Sequence, residues 1–460
     1  MQGIESVSSG LGRASRSGLW ALAAFVSASL LQACGGGGED TGLASPAAIE
    51  MPQQEMQPIH IVGDVLPDAP SDLEKPAATT APRYLTPAMT RKAYGLDQVY
   101  AADNPATQGA GQTIAIIAAY HNPGIASDLA LFSSRFGLPA CGTGCFSVVY
   151  TRNGVRTVFA PAVNKNWAVE SSLDVEWAHA IAPLAKIVLV EAASASYQDL
   201  LGAAYYAANT LGAGVVTMSF GGAEWSGEAA VSNAYFRNTR TAFVAATGDS
   251  GHGTAYPSVS PYVLAVGGTT LAVSPAGDYG GEVAWSGSGG GISAYESALP
   301  IAWPTVTPVN VANSWLTAPA PGGRPVPDVS FNADPAIGFF VVSQTGIGAG
   351  YYAIVGGTSA GAPQWAGLIA IASALRAQAG KPVLNTAQGV ADNGAAVNTA
   401  LAQLSSNGVG ASAYAALFYD ITALGNGSCG LLCNASAGWD LVTGIGSPNA
   451  ATLLPALVAY

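Results

Sequence analysis

Charge is scarce in this chain. Only 10% of its 460 residues are Asp, Glu, Lys or Arg, and 16 Lys and Arg face 28 acids, for a formal net charge of -12. No basic stripe is present to follow a phosphate backbone, which excludes nucleic acid as a partner. Histidine is scarcer still, with His60, His121, His179 and His252 as the whole supply. The N-terminal apolar run, Leu19 to Leu31, is shorter than a membrane span requires. What is abundant is apolar surface and tight turns: half the residues are hydrophobic, with 57 Gly and 28 Pro. That balance favours a buried globular core with its function carried on loops, and an acidic chain poor in Lys and Arg is compatible with work at low pH.

The first 34 residues read as a targeting segment, with Arg13 and Arg16 ahead of the apolar run. The run ends Leu30-Leu31-Gln32-Ala33-Cys34, followed by four glycines. Leu-x-Ala-Cys resembles a bacterial lipoprotein cleavage box with Cys34 as the lipid-carrying residue, and an ordinary secretory signal is the rival reading. The expected location is exported, either extracellular or anchored at an outer membrane, with membrane contact only through that lipid. The other cysteines form two close pairs, Cys141 with Cys145 and Cys429 with Cys433. In an oxidising compartment each pair closes a small disulfide loop; a zinc site would require the two distant pairs to meet. Residues 35–82 are rich in Ala, Pro, Glu and Gln without clear periodicity, as expected of a linker or vestigial pro-segment. Within them Glu39, Asp40, Glu50 and Glu55 read as solvated charges, and His60 to Leu66 is the one strand candidate.

From Thr86 the texture changes. Thr86-Pro87 suits a helix start. Apolar strand candidates at 113–119, 187–190, 215–220, 242–246 and 263–266 alternate with helical stretches at 127–136, 169–181, 197–211 and 228–237. Continuous apolar strands alternating with helices predict an α/β domain, a parallel sheet covered on both faces.

Three segments carry candidate chemistry. Gly356-Gly357-Thr358-Ser359-Ala360-Gly361-Ala362-Pro363 places a serine where a glycine turn enters a helix, whose free N–H groups favour a developing oxyanion. Trp167 to Ala180 carries Glu170 and Asp174 one helical turn apart. Two carboxylates so close raise the cost of ionising each other, so one can hold a proton near neutrality, and a carboxylate can serve a serine as base at low pH. Glu176 points elsewhere by spacing and reads as structural. Phe243 to Gly251 is a buried strand that ends in the glycine-flanked Asp249, at the end of a parallel strand where active residues collect.

Together these segments resemble the sedolisin family, the serine-carboxyl peptidases, from about Leu85 to Pro448. Glu170 and Asp174 match its Glu-x-x-x-Asp helix, Asp249 its Gly-Asp-Ser-Gly aspartate and Ser359 its Gly-Thr-Ser-x-x-x-Pro serine. Met218 to Gly222 and Ser288 to Gly291 resemble its substrate-lining segments. The resemblance implies a subtilisin-like fold, a parallel twisted sheet with helices on both faces. It implies a monomer acting on polypeptides in acid, as an endopeptidase or a tripeptidyl-type exopeptidase. Glu170 would take the proton of Ser359, Asp174 would hold and tune Glu170, and protonated Asp249 would donate to the oxyanion. The family's large folded propeptide has no counterpart of that size here.

The subtilisin-like fold brings in a histidine-dependent mechanism as an alternative. His179 is the residue to weigh, five positions after Asp174 and on another helix face. The segment around His121 lacks the acids its family counterparts carry. A calcium-stabilised surface binding protein that no longer cleaves is the alternative of a different class. The C-terminal region resembles the family's calcium site for one Ca2+, with carboxylates from Asp420 and Asp440 and carbonyls from Ile421, Ser436 and Gly438. Ser436 and Ala437 stand where the family usually has Gly and Pro.

Overall fold

A computed structural model of the chain describes residues 49–67, 82–299, 301, 323–387, 396–406 and 412–460. The targeting segment and Cys34 lie outside the described residues. Among those described, no helix is long and apolar enough to cross a membrane.

The main sheet has nine strands. Five parallel pairings link Leu264–Val273, Ala242–Ala246, Val215–Met218, Thr113–Ala119, Lys186–Ala192 and Phe146–Arg152, in that spatial order. Antiparallel strands close both edges, Tyr279–Ala284 on one and Val155–Thr157 on the other. Val329–Asn332 pairs in parallel with residues 266–269 of Leu264–Val273. The central strands are apolar on both faces, Ile114 to Ala119 and Ala242 to Ala246 being fully buried, so helices must cover each side. The architecture is the α/β, subtilisin-like one that the strand–helix alternation and the resemblance implied.

Two helices position the candidate chemistry and pack on each other. Lys165–Ile181 starts with Asn164, whose side chain accepts the Trp167 N–H, and every residue from Trp167 to Ile181 is buried. Its four-residue apolar spacing suggests one inward face, but the whole circumference is enclosed. Glu170, Ser171, Ser172, Asp174, Glu176 and His179 are therefore all taken out of water. Thr358–Gln378 is the second helix, buried continuously from Thr358 to Ala374. Gly357 caps it at φ 104°, a left-handed conformation that suits glycine. Pro363 has no N–H to give to the Ser359 carbonyl one turn back, which is left to accept from the Ser219 hydroxyl at 3.4 Å.

The stretch expected as a linker is in part docked structure. The described residues, 49–460, belong to one compact unit. Within it Gln57–Pro58 pairs antiparallel with Phe220–Gly221, and Ile61–Pro67 pairs antiparallel with Tyr351–Gly356, the strand that leads into Ser359. Glu55 is engaged too, its Oε1 accepting the Tyr120 hydroxyl at 3.1 Å.

Few cations balance the buried acids. Arg324 and Asp328 form one fully buried pair at 2.7 Å, with Asn398 and the Ala265 N–H on the same carboxylate. Elsewhere burial raises the acids: Asp128 to about 6, Glu296 to about 7, Glu228 to about 9, and Glu170, Asp174 and Glu176 well above their usual range. Burial lowers His60 and His179 to about 4, which has the opposite sign but concerns fewer groups. A carboxyl whose folded pKa exceeds its unfolded value keeps its proton in the folded chain after the unfolded chain has lost it. Stability then falls as pH rises from the unfolded value, near 4, toward the raised one. Thermal denaturation of Ser359→Ala should therefore give a lower Tm at pH 7 than at pH 5; a Tm that rises over that interval would contradict this balance.

Candidate active site

The four residues singled out in the sequence come from three elements and meet at the C-terminal side of the sheet. Asp249 follows Ala242–Ala246 through Gly248, whose φ is 118°. Its Oδ1 accepts the Thr358 N–H at 2.8 Å and the Thr358 hydroxyl at 3.0 Å, which ties the turn to the head of the Ser359 helix. The Gly248 N–H returns a hydrogen bond to Thr358 Oγ1 at 3.0 Å. Ser219 links the other two elements: its hydroxyl donates to Asp174 Oδ1 at 2.7 Å, and its carbonyl accepts from the Ser359 hydroxyl at 3.4 Å. Ser288–Gly291 packs against the Asp249 turn, the Gly289 N–H donating to the Gly248 carbonyl at 2.7 Å.

Across this cluster lies the chain's own segment 55–67. The Ile59 N–H donates to the Ser219 carbonyl at 3.1 Å, and the Ile59 carbonyl accepts the Ser359 N–H at 3.2 Å. Beside it, His60 Nδ1 is 2.7 Å from Glu170 Oε2. Gly357 is what allows the approach. A Cβ there would stand 2.3 Å from Asp249 Oδ2, 2.9 Å from the His60 Cα and 3.0 Å from the Ile59 oxygen. A backbone carbonyl is thus held at the serine's amide, with a carboxyl of Asp249 alongside. A cavity of about 300 Å³ opens next to it, lined by Ile59, Gly221, Gly222, Asp249, Thr254 and Ala255 among others.

Each of the three acids keeps one oxygen in reserve. Glu170 Oε1, Asp174 Oδ2 and Asp249 Oδ2 are buried without a hydrogen-bond partner among the described residues. Unspent polar atoms of this kind cost stability and mark functional sites. Burial is the leading cause of the raised pKa in all three: well above the usual range for Glu170 and Asp174, and about 6 for Asp249. Asp249 raises Glu170 further and Glu170 raises Asp174 further, each through like charge. With Oδ1 of Asp249 occupied by two donors, its proton has Oδ2 as a place to sit.

The histidines fall elsewhere or in unexpected company. His179 Nε2 donates to the Pro139 carbonyl at 2.8 Å. It lies nine residues along the helix from Glu170, roughly 13 Å by helical rise, and has no hydrogen bond to Ser359. His121 Nδ1 is 2.6 Å from Glu191 Oε2, an acid supplied by Lys186–Ala192 rather than by its own segment. Neighbouring Asn122 donates to Ser171 and Ser172 at 3.1 Å each. Glu176 accepts the Val342 N–H at 3.0 Å, a structural role. Sequence reasoning gave no role to Ile59 or His60. The strand candidate beginning at His60 was the one hint, and only long-range pairing places it.

At the C-terminal end, Asp420 and Asp440 are drawn to the same loops. Asp420 accepts the Gly438 N–H at 3.1 Å, and Asp440 accepts the N–H groups of Ser436, Val442 and Thr443 at 2.8–2.9 Å. Burial raises both acids, Asp440 to about 7, and no cation is among the groups acting on them. Buried Asp440 and half-buried Asp420 have no counter-charge among the described groups acting on them, and carboxylate oxygens of this kind suit a hard divalent cation. Cys141 is bonded to Cys145 and Cys429 to Cys433. His179 and His252 each lie close to one of these pairs, but disulfide sulfurs have no thiolate to offer a metal.

Comparison with known proteins gives the family. Residues 157–444 match the model of the family described as "Subtilase family". Kumamolisin of Bacillus sp. (strain MN-32) is 35% identical over 314 residues, covering 63% of this chain and 50% of that protein. Sedolisin of Pseudomonas sp. (strain 101) is 30% identical over 215 residues, covering 44% of this chain and 30% of that one. The chain thus spans half or less of the length of these relatives. The solved Pseudomonas sedolisin, a serine-carboxyl proteinase complexed with two molecules of pseudo-iodotyrostatin, superposes with a TM-score of 0.60 at 24% identity over 83% of this chain and 99% of that one, a likeness of fold. The chain belongs to the subtilase family, in its sedolisin branch.

Proposed function

We propose that this chain is an exported serine-type peptidase that hydrolyses peptide bonds in acid, with Ser359 as nucleophile. The observation that carries the reading is the Ile59 carbonyl at the Ser359 N–H, beside Asp249 and next to Glu170. A substrate carbonyl in that place would be attacked by Ser359 Oγ. The hydroxyl proton passes to the ionised carboxylate of Glu170, the one proton of the buried pair resting on Asp174, one turn on, which compensates the charge change on Glu170. The tetrahedral oxyanion is held by the Ser359 N–H and by the proton on Asp249 Oδ2, which that carboxyl can donate only while neutral. Glu170 returns its proton to the leaving amine. Water then hydrolyses the ester on Ser359, with Glu170 again as base.

Calcium is proposed at the Asp420–Asp440 loops, with Asp420, Asp440 and the carbonyls of Ile421, Ser436 and Gly438 as ligands. Bound there, it would supply the positive charge the two carboxylates lack and brace the loop next to the strand pairing Phe418–Tyr419 with Ser447–Pro448. Export rests on the N-terminal segment and on the disulfides, which suit an oxidising compartment. Lipid attachment at Cys34 is the anchor that fits the cleavage box.

Cleavage of a denatured protein by the purified chain tests the reading. Ser359→Ala should abolish it, and Glu170→Gln should cut kcat by on the order of 10²–10⁴. Activity should be greatest in acid. It should fall about tenfold per pH unit above about 6, as Asp249 loses its proton. Asp249→Asn keeps a donor that does not titrate, so the alkaline limb of the profile should shift or flatten. Internal cuts would mark an endopeptidase, and released tripeptides a tripeptidyl exopeptidase. Activity that peaks near neutrality and survives Glu170→Gln would overturn the carboxylate base, and a folded protein that cuts nothing would point to the binding-protein alternative.

Calcium is tested by stability. Chelation should lower Tm by about 5 °C or more, given a gain of about 3 kcal/mol for a site filled well above its Kd. Asp440→Asn should remove the calcium dependence. A Tm indifferent to calcium in the unsubstituted chain would remove the metal from the account.

A further inference from the structure

Two disulfides of the same spacing stand at opposite ends of the sheet. Cys145 comes just before Phe146–Arg152, where the parallel strands begin, and its carbonyl accepts the Ile187 N–H at 2.7 Å. Cys429–Cys433 lies at the other end, beside the turn that carries Asp249. It closes a hairpin in which Gly425 bridges to Asn434. There the Asn426 N–H donates to the Cys433 carbonyl and the Ala435 N–H to the Leu424 carbonyl, each at 2.9 Å. Residues 427–432 are all exposed. Packing therefore does little to hold the tip, and the disulfide closes it.

Asn426 is where this hairpin grips the site. Its carbonyl accepts the His252 N–H at 2.9 Å, just past Asp249 in the same turn. Its side-chain amide donates to the Ser288 carbonyl at 2.8 Å, and the next residue, Gly289, holds the Gly248 carbonyl at 2.7 Å. One buried residue thus fastens both the Asp249 turn and the segment packed on it. The fit is close. A Cβ on Gly251, at φ 75°, would stand 2.6 Å from the Asn426 oxygen, and one on Gly427 would stand 2.8 Å from Cys433 Sγ and 3.3 Å from the His252 Cβ. We infer that Asn426, with the Cys429–Cys433 disulfide bracing its hairpin, is a positioning residue of the peptidase: it keeps Asp249 where the oxyanion forms and shut away from water. The inference rests on the peptidase reading.

An oxyanion donor works only where it is preorganised, so slack in the turn weakens it. Slack has a second consequence. Burial keeps Asp249 neutral. Water admitted to the turn relieves that burial, and the carboxyl then loses its proton at lower pH. The titratable groups acting on Asp249 are His60 from segment 55–67 and Glu170 from the Lys165–Ile181 helix. The Thr358–Gln378 helix presents the uncharged Thr358, and His252 has its ring at the disulfide. Loosening the hairpin leaves His60, Glu170 and Thr358 in place, so burial is what changes.

Kinetics on a denatured protein test this, in excess calcium because the hairpin joins the Asp420 and Asp440 loops. Asn426→Ala and the paired Cys429→Ser/Cys433→Ser should each lower kcat about tenfold or more with KM changed less than about twofold. Each should also move the alkaline limb of the pH profile about one unit toward acid. The paired Cys141→Ser/Cys145→Ser opens a loop of the same length at the far end and should leave kcat and the limb unchanged. Tm is read beside each profile, below its onset. If the Cys429 pair does not fold, Asn426→Ala, which keeps the disulfide, decides alone. In Ser359→Ala, carboxyl carbon NMR should show Asp249 titrating at lower pH once Asn426→Ala is added, a readout that needs no cleavage. Folded variants with unaltered kcat and limb would overturn the inference. So would a loss of kcat without movement of the limb, which marks a merely structural role, or an equal effect from the Cys141 pair. An unsubstituted chain that cuts while the variants match it overturns this inference alone. One that cuts nothing overturns the peptidase reading, and the Asp249 titration then still decides whether the hairpin holds the turn.

Discussion

The constraint on which the site depends is the burial of acids without cations. Glu170, Asp174 and Asp249 surround the start of one helix, and among the described hydrogen bonds and ion pairs none of them meets Lys or Arg. A buried carboxylate without a partner costs several kcal/mol, so the group keeps its proton instead. That single consequence supplies a neutral Asp249 able to donate and an acid pair able to share a proton. The same scarcity of Lys and Arg that excluded nucleic acid is what leaves these acids unpaired.

The fold supplies positions for this chemistry and enforces the burial. A fully enclosed helix removes Glu170 and Asp174 from water, and the Pro363 and Gly357 positions shape the helix that presents Ser359. Ser219 joins the two helices, its hydroxyl donating to Asp174 and lying within reach of the carbonyl that Pro363 frees. Asp249 is fastened through Thr358, the residue just ahead of the serine. The elements therefore act as one frame in which a shift of any part would move the serine relative to its acids.

Much of this was legible in the sequence because it is local. Glu170 and Asp174 share a helix by spacing, Ser359 follows a glycine turn, and Asp249 ends an apolar strand. The two cysteine pairs close as their short separation suggested. What escaped was long-range. The enclosure of the whole Trp167 to Ile181 helix hides behind a pattern that looks one-sided. Glu191, the partner of His121, sits seventy residues downstream in the neighbouring strand. The docking of residues 55–67 is invisible because Gln57-Pro58-Ile59-His60 has no periodicity of its own; its order comes from edges that Phe220–Gly221 and Tyr351–Gly356 offer it.

The protonation of Asp249 is the claim on which the mechanism turns. Carboxyl carbon NMR of the Ser359→Ala chain, with Asp249→Asn for assignment, would follow it through a pH titration. The account predicts that the Asp249 carboxyl stays neutral up to about pH 6. An Asp249 signal already ionised near pH 4, the ordinary range for an aspartate, would contradict it.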